Sequence, residues 1–131
     1  MRDIKTTFGD SAGLIWRILD ENGPKTKGEL QEMTHLSKNE INAALGWLAR
    51  ENKIFREGKD TYRLDCDTNL TPEIGKNAGK VYKVMDIWGD VDIPILKKLV
   101  NAEEDEIFSA LGWLAREDKI STDEKNRYNL K

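Results

Sequence analysis

Residues 43–54 read AALGWLARENKI, and residues 109–120, 66 positions later, read SALGWLAREDKI. The same register holds without a gap along nearly the whole of both halves, with about twenty identities in roughly fifty compared positions, which is typical of an internal repeat. We therefore predict a tandem pair of similar domains, residues 1–66 and 67–131, joined by a short polar linker at about residues 65–73.

Each copy opens with an amphipathic segment that predicts a first helix. Ser11 and Asn77 are the expected N-caps, because their side chains can accept hydrogen bonds from free backbone N–H groups of the first turn. Apolar residues follow at three- and four-residue spacing. Gly23 and Gly89 are expected to end these helices.

Capping boxes mark the next two helices of the first copy. Thr26-x-x-Glu29 opens a short second helix from Lys27 to Met33, and Ser37-x-x-Glu40 opens a longer third helix to about Glu51. In the second copy the corresponding starts are marked by Asp92 followed by Pro94, and then by Asn101 or Glu103.

Alternating apolar residues follow each third helix. Ile54, Tyr62 and Leu64 in the first copy, and Ile120, Tyr128 and Leu130 in the second, predict one face of a β-hairpin. The predicted fold class is α+β, mainly α. It comprises two tandem winged helix-turn-helix domains, each with three helices and a β-hairpin wing.

The Ala-Leu-Gly-Trp-Leu-Ala-Arg-Glu-x-Lys-Ile segment resembles a family of small bacterial and archaeal winged helix-turn-helix domains whose function is uncharacterised. The resemblance covers nearly all of both copies. What the resemblance implies is a fold and a nucleic-acid role rather than a particular activity.

The amino-acid composition excludes several kinds of site and of protein. The chain has 131 residues, 34% of them charged, with one Cys, one His and a net charge of −3. A single Cys and a single His exclude a disulfide framework and a Cys/His metal site within one chain. No apolar run approaches the roughly 18 residues of a membrane span, and residues 1–5 do not begin a signal peptide. We expect a cytoplasmic protein without membrane contact.

Each predicted third helix carries an apolar stripe, together with a tryptophan and a glycine whose roles need a separate interpretation. Ile41, Ala44, Leu45 and Leu48, like their counterparts in the second copy, form an inward stripe. For Trp47 and Trp113 we favour packing over ligand stacking. Gly46 and Gly112 are costly inside a helix and indicate a close approach. We favour packing against a neighbouring helix or the tandem partner, and the alternative is a nucleic-acid backbone.

The first copy offers a candidate DNA-binding face on its third helix, second helix and wing. Asn39 or Asn42 is placed to pair with adenine, and the basic residues are placed to contact phosphates. The alternative is the ordinary surface of a highly charged protein. The candidate residues are Lys27, Lys38, Asn39, Asn42, Arg50, Lys59 and Arg63.

The second copy differs at these positions. Glu104 and Asp105 stand where the first copy has Lys38 and Asn39, so this third helix is expected to repel phosphate and not to read DNA. Trp88 and Phe108 replace polar residues of the first copy. We expect them to form a protein interface, packing against the first copy or against a second chain.

No nucleophile with a base, phosphate loop or calcium-loop spacing is recognisable, so we predict a non-enzyme with no cofactor, metal or small-molecule substrate. The leading hypothesis is a nucleic-acid-binding protein, a transcriptional regulator or accessory factor, that binds DNA through the first copy and uses the second copy for assembly. The alternative is a protein-interaction scaffold that does not bind DNA. A continuous positive surface joining Lys27, Lys38, Lys59 and Arg63 would favour DNA binding, and carboxylates interrupting it would favour the scaffold.

Overall fold

The computed structural model describes residues 3–131. The first copy contains α1 (Ile4–Asn22), β1 (Lys25–Thr26), α2 (Lys27–Thr34), α3 (Lys38–Arg50), β2 (Ile54–Glu57) and β3 (Thr61–Leu64). Its three strands form an antiparallel sheet in the order β1-β3-β2. Ile54 pairs with Leu64, and Arg56 pairs with Tyr62.

The second copy repeats this order. One π-helical turn (Thr71–Gly75) leads into α4 (Lys76–Trp88), which is followed by α5 (Ile93–Val100), α6 (Glu104–Arg116), β4 (Ile120–Thr122) and β5 (Tyr128–Leu130). The two strands are antiparallel, and Val91 makes an isolated bridge to Tyr128. Both copies are winged helix-turn-helix domains, which confirms the predicted fold class.

Local signals placed most helix ends correctly. Thr26 and Ser37 form complete capping boxes with Glu29 and Glu40. The Asp92 side chain accepts a hydrogen bond from the Ile95 amide at 3.0 Å at the start of α5. The first helices end at Gly23 and Gly89, whose φ angles of 78° lie in the region that favours glycine.

The predicted starts of the first helices are wrong. The Asp3 side chain caps α1 by accepting from the Lys5 amide at 3.2 Å, and Ser11 is buried inside the helix. Asn77 likewise lies within α4 rather than before it. The first helix begins earlier because Ile4 and Phe8, four residues apart, extend the buried apolar stripe toward the N-terminus. In the second copy the π-helical turn Thr71–Gly75, with Ile74 buried, leads directly into α4.

The first apolar residues of each copy pack into the hydrophobic core of the other copy. Ile4 and Phe8 of the first copy belong to the core of the second copy, around Met85 and Leu111. Leu70 and Ile74, 66 positions after Ile4 and Phe8, belong to the core of the first copy. Each copy thus completes the other's core, and the pair packs as one unit.

Candidate nucleic-acid interface

The third helices of the two copies, α3 and α6, lie side by side and run in the same direction. Lys38 Nζ, at the start of α3, lies 3.4 Å from a carboxylate oxygen of Asp105, at the start of α6. At the other end, Arg50 Nε lies 3.0 Å from a carboxylate oxygen of Glu117. The side of α3 that carries Asn42 and Ala43 therefore lies against α6.

Gly46 and Gly112 allow the close approach of these two helices. A Cβ atom on Gly46 would lie 2.7 Å from the carbonyl carbon of Ser109, and a Cβ atom on Gly112 would lie 2.6 Å from that of Ala43. The carbonyl oxygens of Ser109 and Ala43 would lie closer still to these Cβ atoms. This confirms the prediction that the mid-helix glycines pack against the tandem partner.

Asn42 is not on an accessible face, contrary to our expectation. Its side chain is 0% exposed, and its Nδ2 donates to the Lys38 carbonyl oxygen at 3.1 Å. Its Oδ1 has no hydrogen-bond partner among residues 3–131. A side chain without accessible surface cannot reach a base edge, so in this arrangement Asn42 cannot pair with adenine.

Arg50 takes part in a pseudo-symmetric rim of ion pairs. Arg116 Nε contacts Glu51 at 3.0 Å, as Arg50 Nε contacts Glu117 at the same distance. Each guanidinium also lies over the indole ring of the opposite copy, with Arg50 5.8 Å from the Trp113 ring centre. These contacts hold Arg50 at the seam between the copies.

The two tryptophans of the repeated motif are packing residues. Atoms of the Trp47 ring would lie 3.1 Å from a Cβ atom on Gly9, and the Trp113 ring would lie 3.3 Å from one on Gly75. Both rings are partly buried against both cores. The predicted packing role of Trp47 and Trp113 is confirmed.

The other candidate DNA-binding residues remain at least partly accessible. Lys38 has a side chain that is 66% exposed despite its ion pair with Asp105, and Asn39 is half-buried. Lys27 is half-buried with its Nζ 5.9 Å from the Tyr62 ring centre. Lys59 is exposed at the tip of the wing and joins no ion pair within the described part of the chain.

Arg63 is neutralised locally. Its guanidinium contacts Glu57, and it contacts Asp65 at 2.6 Å, while it also lies 4.3 Å from the Phe55 ring centre. The hydrogen bond from Arg63 holds the pKa of Asp65 below its usual range, so this carboxylate stays charged beside the guanidinium. Phosphate would have to displace two carboxylates to reach Arg63.

Carboxylates therefore interrupt the candidate positive surface. A cleft between the copies is lined by Lys27 and Lys38 but also by Asp60 and Asp105. Glu29 also faces outward at the start of α2, and hydrogen bonds from Thr26 hold its pKa below the usual range. A continuous positive surface through Lys27, Lys38, Lys59 and Arg63 would favour DNA binding. Acidic groups lie among these four residues.

Of the two predicted interface residues of the second copy, Phe108 is buried and Trp88 is exposed. Phe108 is buried in the cluster that contains Ile4, Phe8 and Ala43 of the first copy, which corresponds to the interdomain-packing alternative for this residue. Trp88, at the end of α4, is 63% exposed, and its neighbour Ile87 is 69% exposed. Only Trp88 of the two predicted interface residues is accessible to another molecule.

A cleft of about 60 Å³ lies between the copies, and its lining includes the ion pair of Arg56 with Glu73 at 2.7 Å. Within residues 3–131 no group of three or more His, Cys, Asp or Glu side chains is arranged to hold a metal ion. No helix in that same range is both long and apolar enough to cross a membrane.

Sequence reasoning did not identify the residues that build the interface between the copies. The missed residues are Ile4, Phe8, Leu70 and Ile74 in the cores, and Glu51 and Glu117 at the rim. Two signals were present. The Arg-Glu dipeptide recurs at positions 50 and 116, and the apolar pair at 4 and 8 recurs at 70 and 74.

Comparison with known proteins gives two matches to one family. The sequence model of a winged helix-turn-helix domain family (DUF2582) matches residues 1–64 and again residues 68–130. An uncharacterized protein of Methanocaldococcus jannaschii is 36% identical over 58 residues, which cover 42% of this chain and 81% of that protein. The aligned length is that of one copy of the repeat. No solved structure matches the chain.

The family matches agree with the fold and with the repeat. The winged helix-turn-helix is a nucleic-acid-binding fold, so at this coarse level the family associates the chain with nucleic-acid binding. Winged helix-turn-helix domains are typically not enzymes. The chain belongs to this winged helix-turn-helix domain family, and it carries the domain twice.

Proposed function

We propose that the chain is a protein-interaction scaffold, a paired winged-helix unit that does not read DNA with its third helices. The observation that carries this proposal is the mutual burial of α3 and α6, in which Asn42 and Ala43 have no accessible surface. The major groove is about 12 Å wide and admits a single helix about 10–12 Å across. Two helices packed side by side are too wide to enter it.

The charge distribution supports the same proposal. Lys38, Arg50 and Arg63 each contact a carboxylate. The chain as a whole carries a net charge of −3. Nucleic-acid affinity is dominated by the release of counterions from phosphates, and basic side chains already paired with carboxylates contribute little to that release.

An outward apolar surface on the second copy supports a protein partner. Ile87 and Trp88 are exposed at the end of α4, and the equivalent positions of the first copy are Glu21 and Asn22. An exposed aromatic residue is a typical anchor of protein interfaces. The end of α4 therefore offers an apolar surface for a protein partner that the equivalent end of α1 lacks.

The second candidate is the binding of nucleic acid, as a transcriptional regulator or accessory factor, through phosphate contacts of the first copy. It is favoured by the fold and by Lys38 and Lys59, which are exposed to solvent. In this mode no helix enters a groove. The contacts would be with the backbone alone and would carry no base sequence information.

A salt titration of DNA binding tests the two functions. Binding of a fluorescent duplex is measured by anisotropy for the wild type, Lys38→Glu, Lys59→Glu and the control Lys125→Glu, which changes an exposed lysine on the second wing. The scaffold proposal expects no binding at about 150 mM salt. Binding that Lys38→Glu and Lys59→Glu weaken and Lys125→Glu does not, with a salt slope reduced by about one per lost contact, would contradict it.

A further inference from the structure

The outward face of α5 differs in charge and polarity from that of α2, its counterpart in the first copy. The exposed residues of α5 are Pro94, Ile95, Lys98 and Leu99. Their counterparts 66 positions earlier, exposed along α2, are Gly28, Glu29, Glu32 and Met33. One chain therefore carries an apolar basic face and a separate acidic face that includes a methionine.

Glu32 makes no contact in the described structure that would stabilise its charge. It is exposed and joins no ion pair with any of residues 3–131. It lies in the last turn of α2, which ends at Thr34, where the helix dipole disfavours a carboxylate. Lys98, in the last turn of α5, is favoured by the same dipole, yet it too has no partner among the described residues.

The two faces are complementary. Met33, Ile95 and Leu99 are among the exposed large apolar side chains. On α2 the methionine lies one helical turn after Glu29, and on α5 the leucine lies one turn after Ile95, with Lys98 beside it. Lys98 can face the two α2 carboxylates while the apolar side chains of the two helices pack together.

We propose that α5 of one chain docks on α2 of a second copy of this chain, with Lys98 against Glu29 and Glu32, and Ile95 and Leu99 against Met33. This inference rests on the proposed function, because it assigns a partner to a scaffold surface of the second copy. The contact is heterologous, so in a pair one chain retains a free α2 face and the other retains a free α5 face. Association then extends into open chains or closes into a ring.

The association is weak. The two faces offer only a few side chains each, well below the roughly 800 Å² per partner of a standard stable interface. Lys98 and Glu32 are exposed charges, so salt weakens their attraction. We expect self-association that rises with protein concentration and falls with added salt.

Charge exchange tests the proposal with the full-length protein. Sedimentation velocity is measured from about 10 µM to about 1 mM protein, because a small interface gives a weak, concentration-dependent complex. Lys98→Glu makes both faces acidic, and Glu32→Lys removes the net negative charge of the α2 face and places a lysine opposite Lys98, so each variant alone is expected to remain monomeric. An equimolar mixture of the two variants is expected to associate again, because the unaltered α2 face of Lys98→Glu then meets the unaltered α5 face of Glu32→Lys.

Two matched variants control for net charge. Lys125→Glu and Glu124→Lys make the same charge changes at exposed positions in the turn between β4 and β5, and they are expected to leave association unchanged. A wild type that stays monomeric throughout, single variants that associate normally, or a mixture that fails to associate would each overturn the proposal. A monomeric wild type leaves the scaffold function open to other protein partners. DNA binding through Lys38 contradicts the scaffold function and leaves this docking test unaffected.

Discussion

Gly46 of α3 packs directly on the backbone of Ser109 in α6, so close that a Cβ atom on the glycine would lie 2.7 Å from the Ser109 carbonyl carbon. Gly112 has the same relationship to Ala43 of α3. Because the obstacle is backbone inside a helix, it cannot rotate out of the way. The two glycines therefore set the distance between the copies.

Gly46→Ala is expected to destabilise the protein by about 3 kcal/mol, because overpacking here must push two helices apart. Gly112→Ala is expected to do the same. The free energy of unfolding is measured by urea denaturation. The controls are Gly13→Ala and Gly79→Ala in α1 and α4, where a Cβ atom would meet nothing within 4 Å. The higher helix propensity of Ala should stabilise these controls by about 0.5–1 kcal/mol.

Asn42→Leu is expected to leave stability unchanged or raise it by about 1 kcal/mol. The buried Oδ1 has no partner among residues 3–131, and an unsatisfied buried acceptor is destabilising. The equivalent residue of the second copy, Phe108, is already apolar. Urea denaturation measures the change. A large loss of stability would show that the Asn42 side chain makes a necessary hydrogen bond.

Phe8→Ala is expected to lower the free energy of unfolding by about 3–5 kcal/mol. Phe8 lies in the first copy but belongs to the core of the second, so the loss should affect both copies. We expect tryptophan fluorescence and far-UV circular dichroism to report one shared transition in the wild type and in the variant. Two separate transitions would show that the copies unfold independently.

The local elements of this fold were predictable, while the relation between the copies was not. The Thr26 and Ser37 capping boxes and the Gly23 helix end depend on residues within one turn, so their sequence pattern was sufficient. The second buried face of α3 consists of Asn42, Ala43 and Gly46, which are small or polar. A hydrophobic pattern does not detect such a face, because close backbone packing selects small residues rather than apolar ones.

The same limit applies to the candidate DNA-binding face. Amphipathicity assigns Asn42 to the solvent side of α3, and that assignment holds only for an isolated domain. Asn42 is buried, while Lys38 and Arg50 stay exposed near the two ends of the helix. The presence of a second copy in the same chain gives that side a partner. The mid-helix glycines Gly46 and Gly112 were a sequence signal of this contact, as was the recurring Arg-Glu dipeptide.

The Arg50–Glu117 pair is expected to contribute little to stability. A double-mutant cycle with Arg50→Ala and Glu117→Ala should give a coupling free energy of about 0.5 kcal/mol, because the arginine side chain is 45% exposed and solvent screens the pair. The pseudo-symmetric pair Arg116–Glu51 should give a similar value. Added salt should reduce both couplings. A coupling above about 2 kcal/mol would instead make these pairs a main source of interface stability.

Alkaline pH is expected to destabilise the folded protein in part through Tyr128. Burial raises the pKa of Tyr128 to about 12, whereas an unfolded tyrosine has a pKa of about 10. The folded state therefore binds the Tyr128 proton more tightly than the unfolded state. The resulting stability is fully present below about pH 10 and is lost as pH rises toward the folded-state pKa, by about 2 kcal/mol for this residue alone. We expect Tyr128→Phe to lose less stability than the wild type between about pH 10 and pH 12 when urea denaturation is compared across that range. Lysine side chains titrate in both proteins, so their contribution to the pH dependence of stability cancels in the comparison. Parallel pH dependences would show that Tyr128 ionises equally in the folded and unfolded states, and therefore that its ring is not kept from water by the packing around β5.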